Sequence, residues 1–159
     1  MHYLIRLIVE ADNASEAESQ ADNVMVDLVE RGEFDWFRDE TDGSGWPDCW
    51  KPYHLSTKKA QAMVANAMQG QLVEFKQAIT TIRLILERYS DEQIFNEDFT
   101  QDTAGHYLSR YQFSRASGYH ANTCQLFDTN GNAVINQSEL NLLVEEPKRL
   151  WVVQVDCHN

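Results

Sequence analysis

The two ends of this chain constrain its fold more than anything between them, because each is a strand-forming run that needs a partner. Tyr3, Ile5, Leu7 and Val9 alternate with His2, Leu4, Arg6, Ile8 and Glu10, so one face is fully apolar and the other mixed. At the far end, Leu150–Asp156 is rich in β-branched residues and is expected to tie that end into the same sheet. After the first run, Asn13 and Glu16 form a capping box, and Ala14, Ala17, Ala21, Val24 and Leu28 recur at helical spacing until Gly32 supplies a stop.

Between Glu33 and Tyr53 the periodicity gives way to an aromatic, acidic stretch broken by glycine and proline, which reads as an anchored loop. Ser56 can cap a long helical run striped by Ala60, Val64, Ala67, Leu72, Phe75, Ile79, Ile82 and Leu86, with Gly70 a weak point or a boundary between two helices. Ser90 and Gln93 offer a second capping box. Over 96–118, Tyr107, Ser109, Tyr111 and Phe113 fit a strand, whereas Leu108, Tyr111 and Arg115 fit a helix; both readings stand. Cys124–Phe127 and Ala133–Ile135 flank Asn130-Gly131, a pair that tolerates positive φ and predicts a tight hairpin. Asn136 and Glu139 then cap a helix carrying Leu140, Leu143 and Val144. The order β-α, helical middle, β-β-α-β predicts a single α+β domain over 1–159 with a small mixed or antiparallel sheet. It resembles a ferredoxin-like, split βαβ sheet with a mostly helical insertion over about 56–95.

The stretch Asp128–Glu139 resembles the twelve-residue EF-hand loop, in which oxygens at positions 1, 3, 5, 7, 9 and 12 surround calcium. The resemblance implies Asp128, Asn130, Asn132, the Val134 carbonyl, Asn136 and Glu139 as ligands, with Ile135 at the apolar eighth position. Ala133 stands where that family has glycine, and only Asp128 and Glu139 of the six are anionic. A hairpin followed by a helix cap accounts for the same residues, so no cofactor is expected, and calcium is the alternative.

Charge decides the partner class. Of the 159 residues, 25 are acidic and 13 basic, a formal charge of -12, which opposes contact with phosphate backbones and favours a protein partner with a basic surface. Acids gather at Asp35, Asp39, Glu40 and Asp42, beside Glu33 and Asp48, and again at Asp91, Glu92, Glu97, Asp98 and Asp102. Such patches could imitate the phosphate array that a nucleic-acid-binding protein grips, and in size and charge the chain is similar to small acidic inhibitors of phages and plasmids. Trp36, Trp46 and Trp50 either pin the loop to the core or offer an aromatic hot spot. No apolar run is long enough to span a membrane, the first residues do not read as a signal peptide, and the odd, irregularly spaced Cys49, Cys124 and Cys157 read as reduced thiols, so a cytoplasmic protein (host cytoplasm, if viral) is expected. No catalytic motif is present. A site drawn from Cys49, His54, His106 or His120, or zinc held by Cys49 with His54 and Cys157 with His158, fits no standard spacing.

Overall fold

A computed structural model describes residues 2–38, 46–97, 109–117, 124–145 and 149–159, with 109–111 and 117 as backbone only. The elements run β1 (His2–Glu10), α1 (Ala14–Glu30), β2 (Trp36–Phe37), β3 (Tyr53–His54), α2 (Lys58–Arg88), α3 (Asp91–Asn96), α4 (Ser109–Ser117), β4 (Leu126–Phe127), α5 (Gln137–Leu143) and β5 (Leu150–His158). The two end strands find each other: β1 and β5 pair antiparallel along their whole length, from His2 against His158 to Glu10 against Leu150. Both are buried on two sides, which explains why β5 reads as a continuous β-branched run.

β4 lies parallel to β1 on its other edge, while β2 and β3 both pair with the outer edge of β5. The sheet is therefore mixed and the fold α+β. It differs from the ferredoxin-like arrangement, because β4 sits directly against β1 with no strand between them. The long helical excursion brings the chain back to the free edge of β1 as a crossover, and a crossover return gives a parallel neighbour.

Alternation along the strands divides the core between two faces. On one, Ile5, Leu7, Val9, Val153, Val155 and Cys157 meet Ala17, Ala21, Val24, Met25 and Leu28 of α1, together with Phe34, Cys49 and Trp50. On the other, Ile8, Leu150 and Val152 meet Ala60, Met63, Val64 and Ala67 of α2, together with Leu126, Val134 and Leu140. Caps fix the helix starts: Asn13 accepts from Glu16 N, and Thr57, one residue after the expected Ser56, accepts from Ala60 N at 3.2 Å.

α2 runs unbroken through Gly70, so no boundary falls there. A Cβ at Gly70 would come within 2.5 Å of the Gln125 side chain, so the glycine serves close packing. The expected Asn-Gly hairpin also differs in kind. Gly131 has φ +70, but Asn130 is absent from the positive-φ residues. The Gly131 N–H donates to Asp128 O at 3.0 Å, giving a four-residue turn that ends in a left-handed glycine, and Phe127 bridges Ala133 beyond it. Among the described residues, no helix is long and apolar enough to cross a membrane.

Candidate functional site

With Ala17, Ala21, Val24, Met25 and Leu28 turned inward, the polar residues of α1 have only its outer side to occupy. Glu18, Asp22, Val26 and Glu30 follow at four-residue steps along that side, and all four are exposed. The helix holds five carboxylates (Glu16, Glu18, Asp22, Asp27, Glu30) and no lysine or arginine. Glu16 is used locally, accepting from the Asp12 N–H at 2.7 Å, and Asp27 pairs with Arg31 just past the helix end. Glu18, Asp22 and Glu30 have no ion-pair partner among the described residues.

Of the acidic patches expected from sequence, Asp39, Glu40, Asp42, Asp98 and Asp102 lie outside the described residues. Asp35 is exposed, 3.8 Å from His158 Nδ1. Asp48 is largely neutralised: Lys59 Nζ stands 2.6 Å from it, Tyr53 Oη donates to it at 2.9 Å, and Lys51 Nζ is 3.9 Å away. The Lys59 hydrogen bond, then that of Tyr53, holds the Asp48 carboxyl below its ordinary range, and Asp48 in turn pushes the Tyr53 hydroxyl up. Asp91 and Glu92 occupy the first turn of α3, and Glu97 is its left-handed cap at φ 54.

The three tryptophans divide. Trp50 is buried in the core beside α1 and its indole N–H donates to the Arg38 carbonyl, while Trp46 packs partly buried against the same cluster. Trp36 is the exposed one and stacks on His158, ring centroids 5.1 Å apart. That stack belongs to a polar cluster built where the chain's two end strands meet. Asp156, only 1% exposed, has His2 Nδ1 at 2.9 Å and Arg38 Nε at 3.2 Å. A buried carboxylate requires such compensation. The cluster offers a histidine–aspartate pair, and the neighbouring thiol of Cys157 points to the opposite face and lies in the core.

Among the described residues, Cys49 and His54 are not brought together. Cys49 bridges Gln154 whereas His54 pairs with Trp151, three residues away along β5 and therefore roughly 10 Å apart. His54 bonds Ser56 Oγ at 2.7 Å, and His106 and His120 lie outside the described residues. All three cysteines are buried and none forms a disulfide; burial pushes the Cys124 thiol up to about 11. Among the described residues, no three His, Cys, Asp or Glu side chains converge into a metal-binding group.

The loop resembling an EF-hand takes its own course. Asp128 Oδ1 accepts from the N–H groups of Asn130 and Asn132, both at 2.8 Å, and Glu139 accepts from the Ile135 N–H at 2.7 Å and from Asn136 Nδ2 at 3.0 Å. The Val134 carbonyl accepts from Gln71 Nε2 at 3.0 Å. The left-handed residue is Gly131, at the fourth position, whereas the resemblance puts it at the sixth, where Ala133 stands. A strand, β4, leads into the loop where that family has a helix.

On the face opposite α1, a groove of about 1160 Å³ lies between α2 and α5, with Cys124, Ile135, and Arg115 and Ala116 of α4 also lining it. Its walls are Val64, Ala65, Met68, Leu72 and Phe75 from α2 and Leu140 and Val144 from the α5 side. Gln71 lines it as well. Its amide donates to the carbonyls of Val134 and Ile135 and accepts from the Gln125 N–H at 2.8 Å, so one helix side chain satisfies three backbone groups beside β4. Among the described residues, the one charged side chain lining the groove is Arg115, and it is paired with Glu74.

A family model described as a domain of unknown function, DUF7995, matches residues 1–159. The chain belongs to that family. No curated protein and no solved structure matches it.

Sequence reasoning misses two features of this DUF7995 chain. The α1 carboxylates carry a usable signal, five acids and no base within one amphipathic helix, but the acidic loop after it is denser and outweighs them. The His2–Asp156–Arg38 cluster carries none, since it joins side chains up to 154 residues apart.

Proposed function

We propose that this chain is a non-catalytic protein-binding domain whose α1 face docks on a basic surface of a protein partner. The observation that carries the reading is the α1 exterior, where Glu18, Asp22 and Glu30 stand in line with no ion-pair partner among the described residues. Like charges at four-residue spacing cost the isolated helix a few tenths of a kcal/mol, roughly 0.2–0.5 per pair, and a cationic partner would reverse that sign. The α1 face is favoured over the loop patch, because Asp48 of that patch already has its own lysines. A small acidic docking protein suits an accessory or inhibitory role on a nucleic-acid-binding protein, whose phosphate-gripping surface is built of Lys and Arg. Three buried thiols without disulfides suit a reducing compartment.

The test is affinity capture from a cell lysate with the wild-type chain and with the triple variant Glu18→Lys, Asp22→Lys, Glu30→Lys. Basic proteins should be retained at low salt, released as salt approaches the physiological range, and lost with the variant. Capture that is indifferent to salt, or that survives the triple reversal, removes α1 from the interface.

A further inference from the structure

α2 carries a second apolar line, and its spacing is stricter than packing on the sheet requires. Ala65, Met68, Leu72, Phe75, Ile79, Ile82 and Leu86 follow at alternating steps of three and four residues, the repeat that sets one helix against another. The residues that α2 buries on the sheet side, Ala60, Met63, Val64, Ala67 and Gln71, lie roughly a quarter-turn away round the helix. The heptad line begins in the groove and runs out along the half of α2 that passes beyond the sheet. α4 packs on α2, with Arg115 on Glu74, and several members of the line stay exposed. Leu72 is 42% exposed, Phe75 45% and Leu86 57%; Met68 and Ile79 are half-buried, and Ile82 is the one buried member.

Charge selects what covers it. The position following Met68, Phe75 and Ile82 in each heptad holds Gln69, Lys76 and Arg83, all exposed, and neither Lys76 nor Arg83 has an ion-pair partner among the described residues. α2 as a whole has five basic residues (Lys58, Lys59, Lys76, Arg83, Arg88) against Glu74 and Glu87, the reverse of the balance in the full chain. A second copy is a poor occupant. An antiparallel two-fold pairing of α2 with itself sets Lys76 and Arg83 of one copy against the same cations of the other. The α1 helix of a second copy is acidic but presents a single apolar residue, Val26, on its outer line.

We infer that the groove and the seam receive an amphipathic helix of a protein partner, with apolar residues in heptad register and carboxylates flanking them on the side of Lys76 and Arg83. This is helix-in-groove recognition on the face of the sheet opposite α1, and it stands whether or not α1 docks on anything.

The test uses two synthetic three-heptad helical peptides with leucine at the heptad positions, one flanked by glutamate and the other by lysine, each titrated against the full chain by fluorescence anisotropy. The glutamate peptide should bind saturably and the lysine peptide at least ~10-fold more weakly. Lys76→Glu with Arg83→Glu, both at exposed positions, should invert that preference without moving the melting temperature, and Leu72→Asp should abolish both interactions. Equal binding of the two peptides, binding of neither, or a preference untouched by the charge swap overturns the inference. So does a self-association in sedimentation that Leu72→Asp dissolves, since the seam would then belong to a second copy.

Discussion

α1 and α2 cover opposite faces of one sheet, and their outer sides end in opposite chemistry. α1 has 17 residues, and its inner line meets the sheet throughout, leaving a hydrophilic, anionic exterior. α2 has 31 residues and spans roughly 46 Å, whereas a nine-residue strand such as β1 spans roughly 30 Å, so its second half runs past the sheet, although Ala78, Ile82 and Ile85 there are still buried. The difference teaches that a sheet dictates only as much of a helix as lies over it. α1 is held to the sheet by apolar contact, while α2 is also stitched to backbone groups beside β4 through Gln71 and to the preceding loop through Lys59.

The contrast is broken most sharply at Gln71. Gln71→Leu keeps the bulk but strands the Gln125 N–H and the carbonyls of Val134 and Ile135, each costing about 1–3 kcal/mol where water cannot reach. A loss of about 3 kcal/mol or more in urea unfolding is expected; a loss under about 1 kcal/mol would mean that α2, like α1, is held by apolar contact. The second test is the Lys59 tie. Asp48 has a folded-state pKa below its unfolded one, so its contribution is present above the unfolded value, near 4, and is lost as pH falls through the lower folded value. Asp48→Asn should therefore lower the melting temperature by a few degrees at neutral pH and by progressively less as the pH is taken down through the folded-state value, and an equal drop at every pH would show that charge is not the cause. The smallest effect is on α1. Glu18→Gln relieves repulsion with Asp22 and should raise stability by roughly 0.2–0.5 kcal/mol at low salt, fading as salt is added; a decrease would point to a partner for Glu18 on the molecule itself.

What sequence could reveal followed from how local each signal is. β1, α1, α3, α5 and β5 were legible, since alternation, helical spacing and capping pairs act within a few residues. Within 96–118, the helix reading is correct for Ser109–Ser117 and the strand reading is not. The two-residue strands β2 and β3 were invisible, because they exist only by pairing with β5 far along the chain. Gly70 misled for a similar reason: its meaning lies in Gln125, not in its neighbours. The apolar residues of α2 were legible as one stripe, yet they serve two faces, and only the sheet's position separates those it buries from those it leaves open.

The pairing of β1 with β5 also shapes how the molecule comes into being. β1 leaves the ribosome long before β5, and Ile5, Leu7 and Val9 have no antiparallel partner until Trp151, Val153 and Val155 have been synthesised. Ladders this distant in sequence close slowly, because the entropy of gathering the intervening chain is lost before any contact offsets it. α1 is therefore the shelter available to β1 during translation, and until β5 arrives a nascent chain of this kind is at its most exposed to aggregation and chaperone capture.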